Sequence, residues 1–174
     1  MKIVGIAGRA GSGKDTVADF LVARYGFTKV SMAGPLKSAL ATLGFPEPFD
    51  RGDKEKLIEG FNFTWREAAQ KLGTEFGRAL DPDIWVKIMA QRFRRASDRI
   101  VVSDIRFENE AAMIREAGGR MLHLTGRFAE LGANAGHSSE TPLEVLSSVD
   151  GMIDNSGDFE WTKQQVTSYL GLPR

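Results

Sequence analysis

The most restrictive feature of this chain is a glycine-rich segment between an apolar run and an amphipathic stretch. Lys2–Ala7 is rich in apolar residues, and Gly8–Lys14 follows with the spacing G-x-x-x-x-G-K. Glycines let the backbone curl so that successive N–H groups point inward, and a helix that follows adds its positive end. Val17, Phe20 and Leu21 recur at helical spacing immediately afterwards. The pattern predicts a strand, a phosphate-binding loop and a helix, whereas the bland alternative is a glycine-rich turn without a ligand.

The residues expected to contact nucleotide phosphates belong to this loop and to the first helical turn. They are Gly8, Arg9, Gly11, Ser12, Gly13, Lys14, Asp15 and Thr16. Lys14 is expected to reach the β and γ phosphates. Asp15 occupies the position where a Ser or Thr normally holds Mg²⁺. Either Asp15 binds the metal directly or through a water, which we favour, or it caps the helix while Thr16 supports the metal.

Composition restricts the partners of the chain more than its activity. Its 174 residues fit one domain, 1–174. Lys and Arg number 23, as do Asp and Glu, so no overall charge draws the protein to a nucleic acid polymer or a membrane. No apolar run approaches the ~18 residues of a spanning helix. Because cysteine is absent, a disulfide scaffold and a thiolate zinc site are excluded, and we expect a soluble, cytoplasmic protein.

Short apolar runs alternate with longer amphipathic stretches, which is typical of a doubly wound α/β fold. The pattern predicts a parallel sheet of about five strands, at residues 2–7, 28–32, 99–104, 121–125 and 151–154. Helices are predicted to begin after the glycine-rich loop, at Pro35, at a capping box from Thr64, near Pro82, at Glu108, at Thr141 and at Asp158. A helical region at about 35–98 interrupts the alternation. The Gly-, Ala-, Asn- and Ser-rich stretch at about 126–140 predicts a lid loop.

Several classes of nucleotide-binding protein are disfavoured by missing motifs. An Asn-Lys-x-Asp guanine motif is absent, and Asp104, at the end of a predicted strand, precedes Ile105 and Arg106 rather than a catalytic glutamate. Transfer to a phosphate acceptor needs positive charge more than a base, because a phosphate oxygen is already ionised near neutral pH. Basic residues lie at predicted strand ends and loops, namely Arg9, Lys14, Lys37, Arg66, Arg106 and Arg127. A kinase with a phosphorylated acceptor fits this arrangement.

Six short motifs together resemble the bacteriophage-type deoxynucleoside monophosphate kinases. They are Gly8–Thr16 (GRAGSGKDT), Ala33–Lys37 (AGPLK), Gln70–Thr74 (QKLGT), Trp85–Lys87 (WVK), Asp104–Glu110 (DIRFENE) and His137–Glu140 (HSSE). Their order and spacing extend over nearly the whole chain. The resemblance implies a P-loop NTPase fold of the nucleoside monophosphate kinase type, ATP and Mg²⁺ as cofactors, and deoxynucleotide substrates in a host cytoplasm. A homodimer stays open at this point.

The resemblance also implies an acceptor site built from the helical region and the end of the third strand. Arg66 and Gln70 lie four residues apart, so one can bind phosphate while the other contacts a base. Trp85 offers a surface for base stacking, and Lys37 a charge near the acceptor phosphate. The alternatives are solvated charges for Arg66 and Lys37 and a core position for Trp85.

Asp104 and Arg106 are expected to act in catalysis with Lys14 and Asp15. Asp104 would act on magnesium or the acceptor, and Arg106 on the transferring phosphate, the alternative being a surface pair. Glu110 either accepts a hydrogen bond from the acceptor or faces water. Arg127, at the start of the lid, would close on ATP and exclude water.

The two histidines are not expected to catalyse the reaction. His123 is expected to be structural, His137 could touch nucleotide, and no zinc site is expected. Two alternatives to the main interpretation stay open. One is a P-loop kinase of another phosphorylated metabolite, of the phosphomevalonate or dephospho-coenzyme A type. The other is a nucleotide-binding ATPase without an acceptor.

Overall fold

The computed structural model describes residues 2–9, 11–50, 52–93, 99–126 and 150–173. They form two compact units, Met1–Ser31 with Arg92–Arg174, and Met32–Gln91. In chain order the elements are β1 (Lys2–Ala7), α1 (Lys14–Tyr25), β2 (Thr28–Val30), α2 (Gly34–Thr42), a 3₁₀ turn (Gly52–Glu55), α3 (Trp65–Gln70), a π-helical stretch (Lys71–Arg78), α4 (Ile84–Phe93), β3 (Arg99–Val102), α5 (Glu108–Glu116), β4 (Arg120–Thr125), β5 (Asp150–Asp154) and α6 (Phe159–Leu170).

The first unit is built on a parallel sheet of five strands in the order β2-β3-β1-β4-β5. Val4 of the central strand pairs with Val101 of β3 and Arg120 of β4. Five of the six residues of β1 are buried, as expected for a strand covered on both faces. Because all strands are parallel, their carboxyl ends lie at one edge of the sheet, where the loops after β1 and β3 are neighbours.

The core of this unit joins the sheet to α1 and α6. Val17 and Leu21 of α1 and Val166 of α6 belong to one cluster with Ile6 and Leu122 of the sheet, and each is at most 1% exposed. Gly26 ends α1 in the left-handed conformation (φ 68°), which glycine adopts without strain. The apolar periodicity of the sequence therefore determines which face of α1 is buried.

The predicted doubly wound sheet of about five strands is confirmed, with differences at the strand ends. β2 and β3 each end two residues earlier than the sequence pattern indicated, at Val30 and Val102. Ser31 and Ser103, which follow, use their hydroxyl groups in hydrogen bonds to carboxylates instead. The early ends thus place polar side chains at the carboxyl edge of the sheet.

The second unit contains the helical region. The capping box predicted at Thr64 is present, because Glu67 N donates to Thr64 Oγ1 at 3.1 Å and Thr64 N donates to Glu67 Oε2 at 2.7 Å. The π-helical stretch after α3 was not predicted, and the helix expected from Pro82 begins at Ile84. The lid and the helix expected at Thr141 lie outside the described residues.

Candidate active site

The loop between β1 and α1 has a backbone conformation that requires glycine. Gly13 has φ +90°, and a Cβ added there would lie 2.6 Å from Asn155 Nδ2. A Cβ at Gly8 would lie 2.8 Å from the carbonyl oxygen of Leu124. Side chains larger than hydrogen are therefore excluded at both positions, and the loop stays close to the ends of β4 and β5.

The loop also has the polar groups that an anion needs. Lys14 Nζ lies 2.8 Å from the carbonyl oxygens of both Gly8 and Arg9, which holds the ammonium over the loop. Gly13 is the N-cap of the 12-residue helix α1 and has no side chain to cover the helix start. Ser12 Oγ is buried and has no hydrogen-bond partner among the described residues. Because a buried hydroxyl without a partner is costly, a phosphate oxygen fits this loop as the missing partner.

Asp15 is linked to the strands beside the loop. Its Oδ1 accepts a hydrogen bond from Ser103 Oγ at 2.9 Å and lies 3.0 Å from Lys29 Nζ. Lys29 also contacts Asp19 at 2.9 Å. Partial burial would lower the pKa of Lys29, but hydrogen bonds to Asp19 and Asp15 outweigh it and raise that pKa above its usual value. A lysine charge therefore lies beside the carboxylate that was predicted to hold Mg²⁺.

The segment after β3 is held by two carboxylates. Asp104 Oδ2 accepts a hydrogen bond from Ser31 Oγ at 2.6 Å. Glu110 is 4% exposed, and its Oε2 accepts from the backbone N–H groups of Arg106 and Phe107 at 2.9 and 3.2 Å. The water-facing alternative for Glu110 is therefore wrong, because its carboxylate is buried at the start of α5. Arg106 itself is exposed, and the backbone under it is fixed by Glu110.

Two predicted acceptor residues of the second unit form ion pairs with carboxylates. Lys37 Nζ lies 3.0 Å from Glu47 Oε2, and Lys54 Nζ bonds the other oxygen of Glu47. Burial would raise the pKa of Glu47, but the hydrogen bonds from Lys54 and Lys37 outweigh it and lower that pKa. Arg66 Nε is paired with Glu55. Lys37 and Arg66 are thus each already paired with a carboxylate.

Trp85 is fixed by the π-helical stretch. Its Nε1 donates to the carbonyl oxygen of Gly73 at 2.8 Å, and a Cβ added to Gly77 would lie 2.7 Å from its ring. Gln70 is half-buried at the end of α3. An apolar groove of about 460 Å³ also lies in this unit, and none of the predicted acceptor residues lines it; its lining is Leu40, Leu43, Phe45, Phe63, Ala68, Lys71, Leu72, Glu75 and Phe76.

His123 lies in a buried polar cluster of the first unit. Its Nε2 is 3.0 Å from Asp150 Oδ2, and Arg115 bonds the same carboxylate. This agrees with the structural role expected for His123. Arg127 and His137, expected to touch nucleotide, lie outside the described residues.

The described residues contain no group of three or more His, Asp or Glu side chains arranged to hold a metal. Mg²⁺ in kinases is typically held by one or two protein ligands together with substrate phosphates. Asp15 and Thr16, at the start of α1, fit that kind of site. Within the described part of the chain, no helix is long and apolar enough to span a membrane.

The sequence did not predict the residues that hydrogen-bond to the phosphate loop and to Asp15 from the neighbouring strands. Asn155 Nδ2 donates to the carbonyl oxygen of Ser12 at 2.8 Å, and Ser103 and Lys29 contact Asp15. Asn155 directly follows a predicted strand and Ser103 lies near the end of one, but many polar residues occupy such positions. Only their position at the carboxyl edge of the sheet could have singled them out.

Comparison with known proteins identifies the family of this chain. The family model for deoxynucleotide monophosphate kinase matches residues 52–166. The chain belongs to the deoxynucleotide monophosphate kinase family. This confirms the resemblance and its implication that the chain is a kinase.

Viral relatives of this kinase agree with the family assignment. A protein of Acanthamoeba polyphaga mimivirus assigned as a deoxynucleotide monophosphate kinase is 30% identical, over 97% of this chain and 95% of the relative. The deoxynucleotide monophosphate kinase of Enterobacteria phage T4 is 49% identical over 41 residues, which are 24% of this chain and 17% of that protein.

Solved structures support the fold of the kinase. A Thermus thermophilus protein gives a TM-score of 0.55 with 18% identity over 97% of this chain and 96% of its own. A sugar kinase of Janibacter sp. gives 0.51 with 16% identity over 98% and 94%. Identities this low show the fold alone, and the predicted P-loop kinase fold is confirmed.

Proposed function

We propose that this kinase transfers the γ-phosphoryl group of MgATP to the phosphate of a deoxynucleoside 5′-monophosphate, giving the diphosphate. The observation that carries the proposal is the loop of Ser12, Gly13 and Lys14 in a member of the deoxynucleotide monophosphate kinase family; the buried Ser12 hydroxyl of this loop has no partner within the described part of the chain. The names of the mimivirus and T4 relatives support the acceptor class.

The reaction requires little acid–base catalysis from the protein. An oxygen of the acceptor phosphate, ionised near neutral pH, attacks the γ-phosphorus while the bond from that phosphorus to the bridging oxygen breaks, and the electron pair leaves with ADP. Positioning and positive charge therefore supply the rate enhancement. Lys14 would move from the loop carbonyls to the β and γ phosphates, and Arg106 would contact the transferring group.

The carboxylates beside the loop would organise the metal and the acceptor. Asp15 or Thr16 would hold Mg²⁺, which neutralises charge on the phosphates when bound. The ion pair with Lys29 and the hydrogen bond from Ser103 orient Asp15 for this role. Asp104, oriented by Ser31, would act on the metal or the acceptor.

The acceptor would bind through the helical region. Lys37 and Arg66 would exchange Glu47 and Glu55 for the acceptor phosphate, because a phosphate carries more charge than one carboxylate. Gln70 and Trp85 would contact the base, and Arg127 would close over ATP. Small nucleotides are the proposed substrates, and cytoplasmic action is part of the same proposal.

The test is diphosphate formation from MgATP with dTMP, dGMP, dCMP or dAMP, and with their ribose forms. We expect turnover that requires a deoxynucleotide and falls at least about a hundredfold in Lys14→Ala. Lys163→Ala, which removes a lysine of α6 paired with Glu160, is the matched charge control and should keep its activity. Turnover of ATP that is indifferent to every nucleotide would refute the proposal and point to another metabolite kinase or a bare ATPase.

A further inference from the structure

Asn155 connects the carboxyl end of the sheet to the phosphate loop. It follows β5 directly and is 6% exposed. Its backbone N–H donates to the carbonyl oxygen of Thr125, the last residue of β4, at 2.9 Å. The backbone of Asn155 is therefore fixed independently of its side chain.

The side-chain amide of Asn155 is fixed at both ends. Its Nδ2 donates to the carbonyl oxygen of Ser12 at 2.8 Å, and its Oδ1 accepts from Thr162 Oγ1 at 2.7 Å. Thr162 is fully buried in α6. The Ser12 carbonyl thus selects the amide orientation in which Nδ2 faces the loop, since only a donor can bond a carbonyl oxygen, and the Thr162 hydroxyl then holds Oδ1 by donating to it.

The bonded carbonyl belongs to the peptide unit between Ser12 and Gly13. In a planar trans peptide the C=O and the N–H point in opposite directions. By holding the Ser12 carbonyl, Asn155 directs the Gly13 N–H away from itself. A hydrogen bond to the carbonyl also polarises the peptide and strengthens its N–H as a donor.

We propose that Asn155 is a positioning residue of the kinase: through the Ser12 carbonyl it holds the Gly13 N–H in the orientation that binds a phosphate of ATP. Thr162 acts through Asn155. Asn155 Nδ2 also packs closely against Gly13, because a Cβ added to Gly13 would lie 2.6 Å from it. The inference rests on the proposed binding of MgATP at this loop.

The experiment measures the dissociation constant of a non-hydrolysable MgATP analogue by calorimetry, together with the melting temperature and the KM of the acceptor. Losing a buried hydrogen bond corresponds to roughly tenfold in affinity, so Asn155→Ala should weaken nucleotide binding by about that factor. Asn155→Asp should weaken it further, because a carboxylate oxygen then faces the Ser12 carbonyl. The acceptor KM should stay within about twofold, since the loop binds the donor.

Thr162→Val keeps the proposal testable if the Asn155 variants do not fold. It removes the hydroxyl that holds Asn155 Oδ1 in place and should weaken nucleotide binding by about two- to fivefold. Thr167→Val is the matched control, because Thr167 is buried in the same helix and its Oγ1 donates to the carbonyl oxygen of Gln164. Thr167→Val should bind the analogue as the wild type does.

The outcomes separate this inference from the proposed function. Wild-type protein that binds no MgATP analogue would refute the proposed function and this inference together. If Lys14→Ala loses binding but Asn155→Ala, Asn155→Asp and Thr162→Val bind as tightly as Thr167→Val, only the inference is overturned. A lower melting temperature with unchanged nucleotide affinity has the same meaning, because it assigns Asn155 to stability alone.

Discussion

Removing the charge of Asp150 should destabilise the first unit strongly. The Asp150 side chain is 0% exposed and is bonded by Arg115, which is 10% exposed, and by His123, which is 8% exposed. Arg115 donates from Nε at 3.1 Å and from its terminal nitrogen at 2.7 Å. In the wild type the hydrogen bonds to Asp150, offset in part by burial, raise the pKa of Arg115. The guanidinium stays charged in the variant as well, because an arginine side chain is not deprotonated in proteins.

The magnitude follows from leaving a buried charge without its counterion. Breaking a buried pair by removing one partner costs about 3–5 kcal/mol. Asn keeps some hydrogen bonding, so we expect Asp150→Asn to lose about 3 kcal/mol, or roughly 6–12 °C in melting temperature for a chain of this size. Glu108 also pairs with Arg115 but is 47% exposed, so it replaces little of the lost interaction.

The assay is thermal unfolding followed by circular dichroism at neutral pH. Glu160→Gln is the control, because it removes the same kind of charge from an exposed pair with Lys163 in the same unit. We expect that control to melt within about 2 °C of the wild type. An Asp150→Asn protein that melts as close to the wild type as the control would refute the argument that the cluster is a buried ion pair.

Three further predictions concern the loop, the metal and pH. Gly13→Ala should lose nucleotide binding, because its Cβ would clash with Asn155 Nδ2 at 2.6 Å; binding of the MgATP analogue checks this, and wild-type affinity would contradict it. Asp15→Ala should require about tenfold more Mg²⁺ for half-maximal turnover; an unchanged requirement, with a raised one in Thr16→Val, would assign the metal to Thr16. Because the folded pKa of Glu47 is lowered, its two lysine bonds stabilise the protein above its unfolded pKa, near 4.5, and are lost as pH falls through the folded value. Denaturant unfolding between about pH 6 and 3 should therefore show a steeper loss of stability for the wild type than for Glu47→Gln, and parallel curves would contradict the effect of these ion pairs.

Local patterns in the sequence determined the elements of the fold. The spacing of Gly8, Gly13 and Lys14 predicted the loop, because the backbone conformation it needs is available to glycine. The capping box at Thr64 predicted the start of a helix, since its two hydrogen bonds lie within one turn of the chain. The same kind of reasoning did not predict the π-helical stretch. Trp85 packs against Gly77 of this stretch and donates a hydrogen bond to the carbonyl oxygen of Gly73, which lies twelve residues earlier in the chain.

Only the tertiary structure decided which polar residues support the site. Ser103 and Asp15 are 88 positions apart in the chain, and Asn155 and Ser12 are 143 apart. No helical or strand period relates residues at such separations. They meet because the sheet order β2-β3-β1-β4-β5 brings their strands together. The sequence alone therefore predicted a phosphate loop and, through a resemblance, the kinase family, whereas folding determined that Asn155 bonds the loop and that the Asp15 carboxylate is paired with Lys29. The physical reason is that a hydrogen bond depends on distance in space, while a motif depends on distance along the chain.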